Sequence, residues 1–125
     1  MDLVKVGYIG ASFGASAAVP FLALEPRLKA AVLTSGGLVS TVDTPPEANP
    51  VNYVPRISIP VLMLNRRYDY VFPVETSQPL LFESLGTRTE DKRWVVYDAG
   101  HAQVPRNQVI REALGWLDKY LGPVN

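Results

Sequence analysis

Leu3-Val4-Lys5-Val6-Gly7-Tyr8-Ile9-Gly10-Ala11-Ser12-Phe13-Gly14 decides the reading of this chain. Residues 3–9 are an apolar, β-branched run of strand length. The small residues that follow Ser12 open a segment with helical character. Between them stands Gly10-Ala11-Ser12-Phe13-Gly14, a G-x-S-x-G turn joining a strand to a helix. Such a turn is sharp, so the positions two before and two after the serine have to be small, and a Cβ at Gly10 or at Gly14 is expected to collide. The serine is then held in a strained backbone conformation, with its hydroxyl projecting beyond the end of the sheet.

Working outward, the first strand is apolar at almost every position, as befits a parallel strand covered on both faces. Residues 13–24 read as a helix that Pro20 kinks or distorts in its middle. Residues 28–34 form a second buried strand, closed by Ser35-Gly36-Gly37. Residues 38–58 are irregular and rich in proline, and a loop this long in a compact domain is more often functional than idle. A third strand covers 60–65. Residues 74–85 read as a helix with Gly86 as its C-cap despite Pro79, and 92–97 as a fourth strand. The last helix, 107–121, sets Val109, Ile110, Ala113, Leu114, Leu117, Tyr120 and Leu121 on one face and stops at Gly122-Pro123. Strands alternating with helices imply one α/β domain over residues 1–125: about four parallel strands with flanking helices and right-handed crossovers.

Composition narrows the function. Twelve basic residues balance twelve acidic ones, so no basic field attracts nucleic acid or an anionic membrane, and little charge opposes self-association. With no cysteine, disulfides, thiolate metal sites and a cysteine nucleophile are excluded. His101 is the only histidine, which rules out multi-histidine zinc sites, and no metal or cofactor is expected. A secretory leader pattern and an apolar run of roughly 18 residues are both missing, which points to the cytoplasm.

Three chemically capable residues stand just past three strand ends: Ser12 after the first, Asp69 after the third and His101 after the fourth. In a parallel sheet those ends share one edge, where ligands bind. Asp98, three residues before His101, competes for the acid's place but more naturally braces the histidine loop. Arg66 and Arg67 could pair with Asp69 or with Glu75 but read more naturally as a solvated loop edge. Tyr68, Tyr70 and Phe72 suit an acyl pocket or sheet-edge packing equally well, and Trp94 and Trp116 suit core or interface anchors.

The order Ser…Asp…His, with GASFG at the elbow, RRYDYVFP around Asp69 and DAGH ending at His101, resembles the C-terminal half of an α/β-hydrolase. It is most similar to the dienelactone-hydrolase and prolyl-oligopeptidase-like esterase branch, and the resemblance covers nearly all of the chain. It implies a serine hydrolase that cleaves small acyl esters. Ser12 is the nucleophile, His101 the general base and acid, and Asp69 the residue that orients the imidazole. The Phe13 backbone N–H is one oxyanion donor. The family's second donor lies on a loop after its third strand, a part with no counterpart in this sequence. A partner chain or the 38–58 loop is expected to replace it.

The resemblance also leaves the first strand at an edge that only Lys5 blunts. A homodimer or higher oligomer is therefore expected, most simply by antiparallel pairing of first strands about a two-fold axis. A swapped arrangement and a separately encoded N-terminal partner are alternatives. The rival functional reading is a catalytically idle hydrolase domain, acting as an association module or a fragment of a larger hydrolase.

Overall fold

The computed structural model describes residues 5–39, 45–102 and 105–122. Its centre is a four-stranded, wholly parallel sheet in the order β1 (Val6–Ala11), β2 (Leu28–Thr34), β3 (Val61–Tyr68), β4 (Lys92–Gly100). Sequential strands are thus spatial neighbours, and β1 and β4 are the edges. Registers run Gly10↔Leu33 and Ala11↔Thr34 between β1 and β2, Thr34↔Leu64 between β2 and β3, and Tyr68↔Gly100 at the far end of β3 and β4.

Period-two alternation splits the central strands between two cores. Ala31 and Leu33 of β2, with Val61 and Met63 of β3, face α1 (Phe13–Ser16), α2 (Val19–Leu24) and α3 (Ser77–Ser84). Ala30, Val32, Leu62 and Leu64 face α4 (Arg106–Leu121), which contributes Ala113 and Trp116. Both faces are covered, which is why these strands read as continuous apolar runs.

The expected elements are present, with four corrections. The helix over 13–24 is two helices, broken at Ala17 and Ala18. Pro20 has no N–H for the Ser16 carbonyl, and it sits in the first turn of α2, where a missing donor costs nothing. The helix expected over 74–85 starts only at Ser77, so Pro79 falls in its first turn and breaks no hydrogen bond. Gly86 is not a left-handed cap: a Cβ there would lie 2.1 Å from the Pro55 carbonyl oxygen, so the glycine permits a close approach of two backbones. Third, Ile110 and Leu114 belong to the apolar stripe of α4 yet remain about half exposed, because α4 rests chiefly on β2 and the stripe is wider than the sheet beneath it.

The fourth correction is at strand ends. β1 continues to Ala11, β3 to Tyr68 and β4 to Gly100, further than side-chain pattern alone predicts, because a parallel ladder continues while its partner has free N–H and C=O groups. Leu3 and Val4, the expected start of β1, lie outside the described residues. Within the 38–58 loop, Pro50–Asn52 and Val54–Arg56 form 3₁₀ turns. The Asn49 side chain caps the first, and Val54 and Ile57 are buried in the core beside α2 and α3.

Candidate active site

Those extended strands place the site. Ser12, Asp69 and His101 are each the residue immediately after the end of a strand, β1, β3 and β4 respectively. Three side chains separated by up to 89 positions are thereby delivered to the carboxyl edge of one sheet.

At the elbow, Ser12 has φ 54° and ψ −112°, a conformation that side-chain-bearing residues rarely adopt and that costs about 1–3 kcal/mol. Strand pairing sustains it: Ser12 N–H donates to Thr34 O at 2.8 Å, while Ser12 O accepts from Ala15 and Ser16 as α1 begins. A serine at a helix N-cap usually turns its hydroxyl onto the first-turn N–H groups. Here Oγ makes no cap and lies 2.8 Å from His101 Nε2.

Gly10 and Gly14 play different parts. A Cβ on Gly10 would stand 2.7 Å from Gly14 O, 2.9 Å from its carbonyl carbon and 2.7 Å from the Tyr8 ring. Gly14 is not crowded as the motif predicts: its Cβ would meet only Tyr8 Oη, at 3.8 Å. The close approach is made by the Gly14 carbonyl, which accepts from Tyr8 Oη at 2.7 Å. Gly10→Ala is expected to lose about 1–3 kcal/mol through overpacking. Gly14→Ala is expected to be neutral or to gain up to about 1 kcal/mol from helix propensity. Urea unfolding of both variants distinguishes the two roles.

His101 Nδ1 lies 2.9 Å from Asp69 Oδ2. An ionised carboxylate only accepts, so in that pairing Nδ1 carries the proton, and Nε2 is left to accept from the Ser12 hydroxyl. The other oxygen, Asp69 Oδ1, accepts from the Val71 and Phe72 N–H groups at 2.8 Å each. One oxygen thus shapes the loop while the other faces the imidazole. The Asp69 side chain is fully buried and that of His101 partly so, with the Tyr70 and Phe72 rings packed 6.3 and 6.1 Å from the imidazole.

The remaining candidates separate cleanly. Asp98 does not reach the histidine ring; it accepts from Arg67 Nε at 2.7 Å in an exposed pair bridging β3 and β4. Arg66 is no solvated loop edge but 1% exposed, directed to the α4 side of the sheet, with Nη1 donating to Leu64 O. Burial lowers its pKa, against the opposing charges of Asp69 and Tyr97, yet the guanidinium remains a cation at neutral pH. Tyr70 (84% exposed) and Phe13 (81%) flank the serine and histidine instead of packing on the sheet edge, whereas Phe72 is buried. The Phe13 N–H opens α1, where first-turn donors have no intrahelical acceptor. Gln78 escaped the sequence reading. A glutamine in a short helical segment carries no signal for the contacts it makes here.

A cavity of about 450 Å³ lies at the opposite, amino ends of β2 and β3, lined in part by Leu22, Leu28, Arg56 and Pro60, and is separate from Ser12. Among the described residues there is no cluster of three or more acidic or histidine side chains able to hold a metal ion, and no helix long and apolar enough to cross a membrane.

No protein-family model and no curated protein sequence matches the chain. Solved structures do. The chain has an α/β-hydrolase fold and aligns with only about half to two-thirds of the chains it matches. A zinc-bound cold-adapted esterase from an Arctic intertidal metagenomic library aligns with 94% of this chain and 49% of its own, at 27% identity and a TM-score of 0.77. A chain designated a dienelactone hydrolase from Klebsiella pneumoniae aligns at 24% identity and 0.78, covering 95% and 54%. The α/β-hydrolase GrgF from a Penicillium species aligns at 14% identity and 0.81, covering 98% and 66%. The chain therefore spans about half the length of the esterase it matches.

Proposed function

We propose that this chain is a serine hydrolase that cleaves small acyl esters through an acyl-enzyme. The observation that carries the reading is the relay Ser12 Oγ, His101 Nε2, His101 Nδ1, Asp69 Oδ2, with links of 2.8 and 2.9 Å. Ser12 attacks the ester carbonyl as its proton passes to Nε2. Asp69 holds the imidazole in the required tautomer and stabilises the cation. Collapse of the tetrahedral intermediate expels the alcohol, which takes the proton from Nε2. Water then repeats the sequence on the acyl-Ser12 ester, releasing the acid. The Phe13 N–H supplies one oxyanion donor. The exposed rings of Phe13 and Tyr70 beside the reacting atoms favour an apolar acyl or alkoxy group.

A second oxyanion donor is worth about 10²–10³ in rate. Val54 and Ile57 commit residues 54–57 to the core, so that part of the long loop is a poor source. We place the donor on a second copy of the chain. β1 is a sheet edge with Ile9 59% exposed on the α4 side, and the exposed Ile110 and Leu114 lie on the stripe that Leu117 and Leu121 continue to Gly7 of β1. Antiparallel pairing of two β1 strands about a two-fold axis normal to the sheet gives eight continuous strands and brings both α4 helices onto one face. It also lays the amino end of the partner's β1 beside Ser12, where a backbone N–H meets the oxyanion.

The expected result is a dimer by sedimentation at micromolar protein. Its specific activity on p-nitrophenyl acetate should rise with concentration, and Ile9→Arg should yield a less active monomer. A wild-type monomer, or activity independent of association, contradicts the dimer. The idle-module reading rests on the half-length match, and against it stands a complete Ser, His and Asp constellation in hydrogen-bonding register.

A further inference from the structure

Gln78 is completely buried, the second residue of α3, and outside the relay described above. Both N–H groups and the oxygen of its side-chain amide are nonetheless bonded. Nε2 donates to Arg66 O at 2.8 Å and to Phe72 O at 2.9 Å, and Oε1 accepts from Trp94 Nε1 at 3.3 Å. These partners fix the orientation of the amide: two carbonyls require the NH₂ group and an indole N–H requires the oxygen, so a flipped amide would fail at all three. A buried amide left unsatisfied is costly, so such complete use of one is a strong local constraint.

The bridged carbonyls are the two ends of the acid loop. Residue 66 closes the regular part of β3, and residue 72 ends the turn organised by Asp69 Oδ1. Asp69 stands midway, three residues from each. Without the Gln78 side chain, the loop is held by its own Asx-type turn, by the strand it leaves and by Pro73 O, which accepts from the Thr76 and Gln78 backbone N–H groups. With it, both ends are tied to α3 and, through Trp94, to β4, the strand that delivers His101. Acid and histidine are thereby referenced to the same rigid body.

We propose that Gln78 is a positioning residue of the hydrolytic site, a strut that sets the place of Asp69 relative to His101. It acts through the acid and touches no reacting atom. The inference rests on the reading of Ser12, His101 and Asp69 as a triad.

Gln78→Met keeps the length and the apolar volume but removes both donors. The expected result is a fall in kcat of about 10²-fold, the scale associated with an ångström of misplacement, with KM little changed. His101 is the only histidine, so the low-field proton of its Nδ1–H···Asp69 bond can be assigned without ambiguity in the NMR spectrum. That signal is expected in the wild-type chain and expected to weaken or move upfield in Gln78→Met. A purely structural loss would reduce the folded fraction and leave the kcat and the signal of the remaining folded protein unaltered, which overturns the proposal.

Asp69→Asn serves as the control. Full activity in Gln78→Met with activity lost in Asp69→Asn overturns the strut alone. Full activity in both overturns the triad reading and the strut with it. Should Gln78→Met not fold, the unaltered chain still decides: both Gln78 side-chain amide protons are expected to exchange slowly with solvent, and fast exchange of either overturns the proposal.

Discussion

Alanine in place of Ser12 is expected to lower the hydrolysis of an activated ester by at least about 10⁴-fold, leaving only what binding and the Phe13 N–H provide. The expectation is specific because Ser12 contributes little else. Its hydroxyl makes no helix cap and bonds to His101, while the strand and helix contacts of residue 12 run through its backbone N–H and C=O. Alanine retains those contacts and adopts the same backbone with similar strain, so the variant should fold with unchanged stability. Steady-state kinetics with p-nitrophenyl acetate, alongside thermal unfolding, checks both halves of the statement.

Asp69→Asn is expected to reduce kcat by about 10⁴-fold, for a different reason. The carboxylate has two tasks that an amide cannot perform together. Its Oδ1 accepts the Val71 and Phe72 N–H groups, and its Oδ2 accepts from His101 Nδ1. An asparagine has one acceptor oxygen. If that oxygen keeps the loop, the NH₂ group faces the imidazole and favours the tautomer with the proton on Nε2, which cannot accept the Ser12 proton. If it turns to the imidazole, the Val71 N–H and the buried Phe72 N–H lose their acceptor and the loop moves. Activity should fall either way, and the first arrangement should preserve stability. Comparing unfolding midpoints with kcat for this variant tells which orientation the amide takes.

The placement of the candidate site was largely legible because its residues follow strand ends. Ser12, Asp69 and His101 could be read as convergent once the runs before them were taken as parallel strands, and the observed pairing extends each strand to the residue before its catalytic candidate. The blank points were those where contacts distant in sequence decide. Pro20 divides a segment into two helices, but which turn receives it depends on packing against β2. Gly14 was read as crowded although only its carbonyl approaches the strand. Gly86 resembled a helix cap and is in fact pressed against the Pro55 carbonyl. Arg66 read as a surface charge because nothing local shows that α4 covers that side of β3. Gln78 was invisible for the same reason, since its partners at 66, 72 and 94 meet only in the folded chain.

The half-length match gives the remaining question its form. Ser12, His101 and Asp69 are linked by hydrogen bonds on a sheet whose first strand is an edge, with apolar side chains exposed beside it. Association through that edge and catalysis at its carboxyl end are coupled in this account, because the strand that would pair with a partner is the strand that carries Ser12.

The central claim, that Ser12 is an activated nucleophile, is tested most directly by covalent labelling with a fluorophosphonate, followed by intact-mass measurement and peptide mapping. The account predicts one adduct per chain, on Ser12, absent in Ser12→Ala and strongly slowed in Asp69→Asn. No adduct on the folded wild-type chain, or an adduct on another residue, would contradict it.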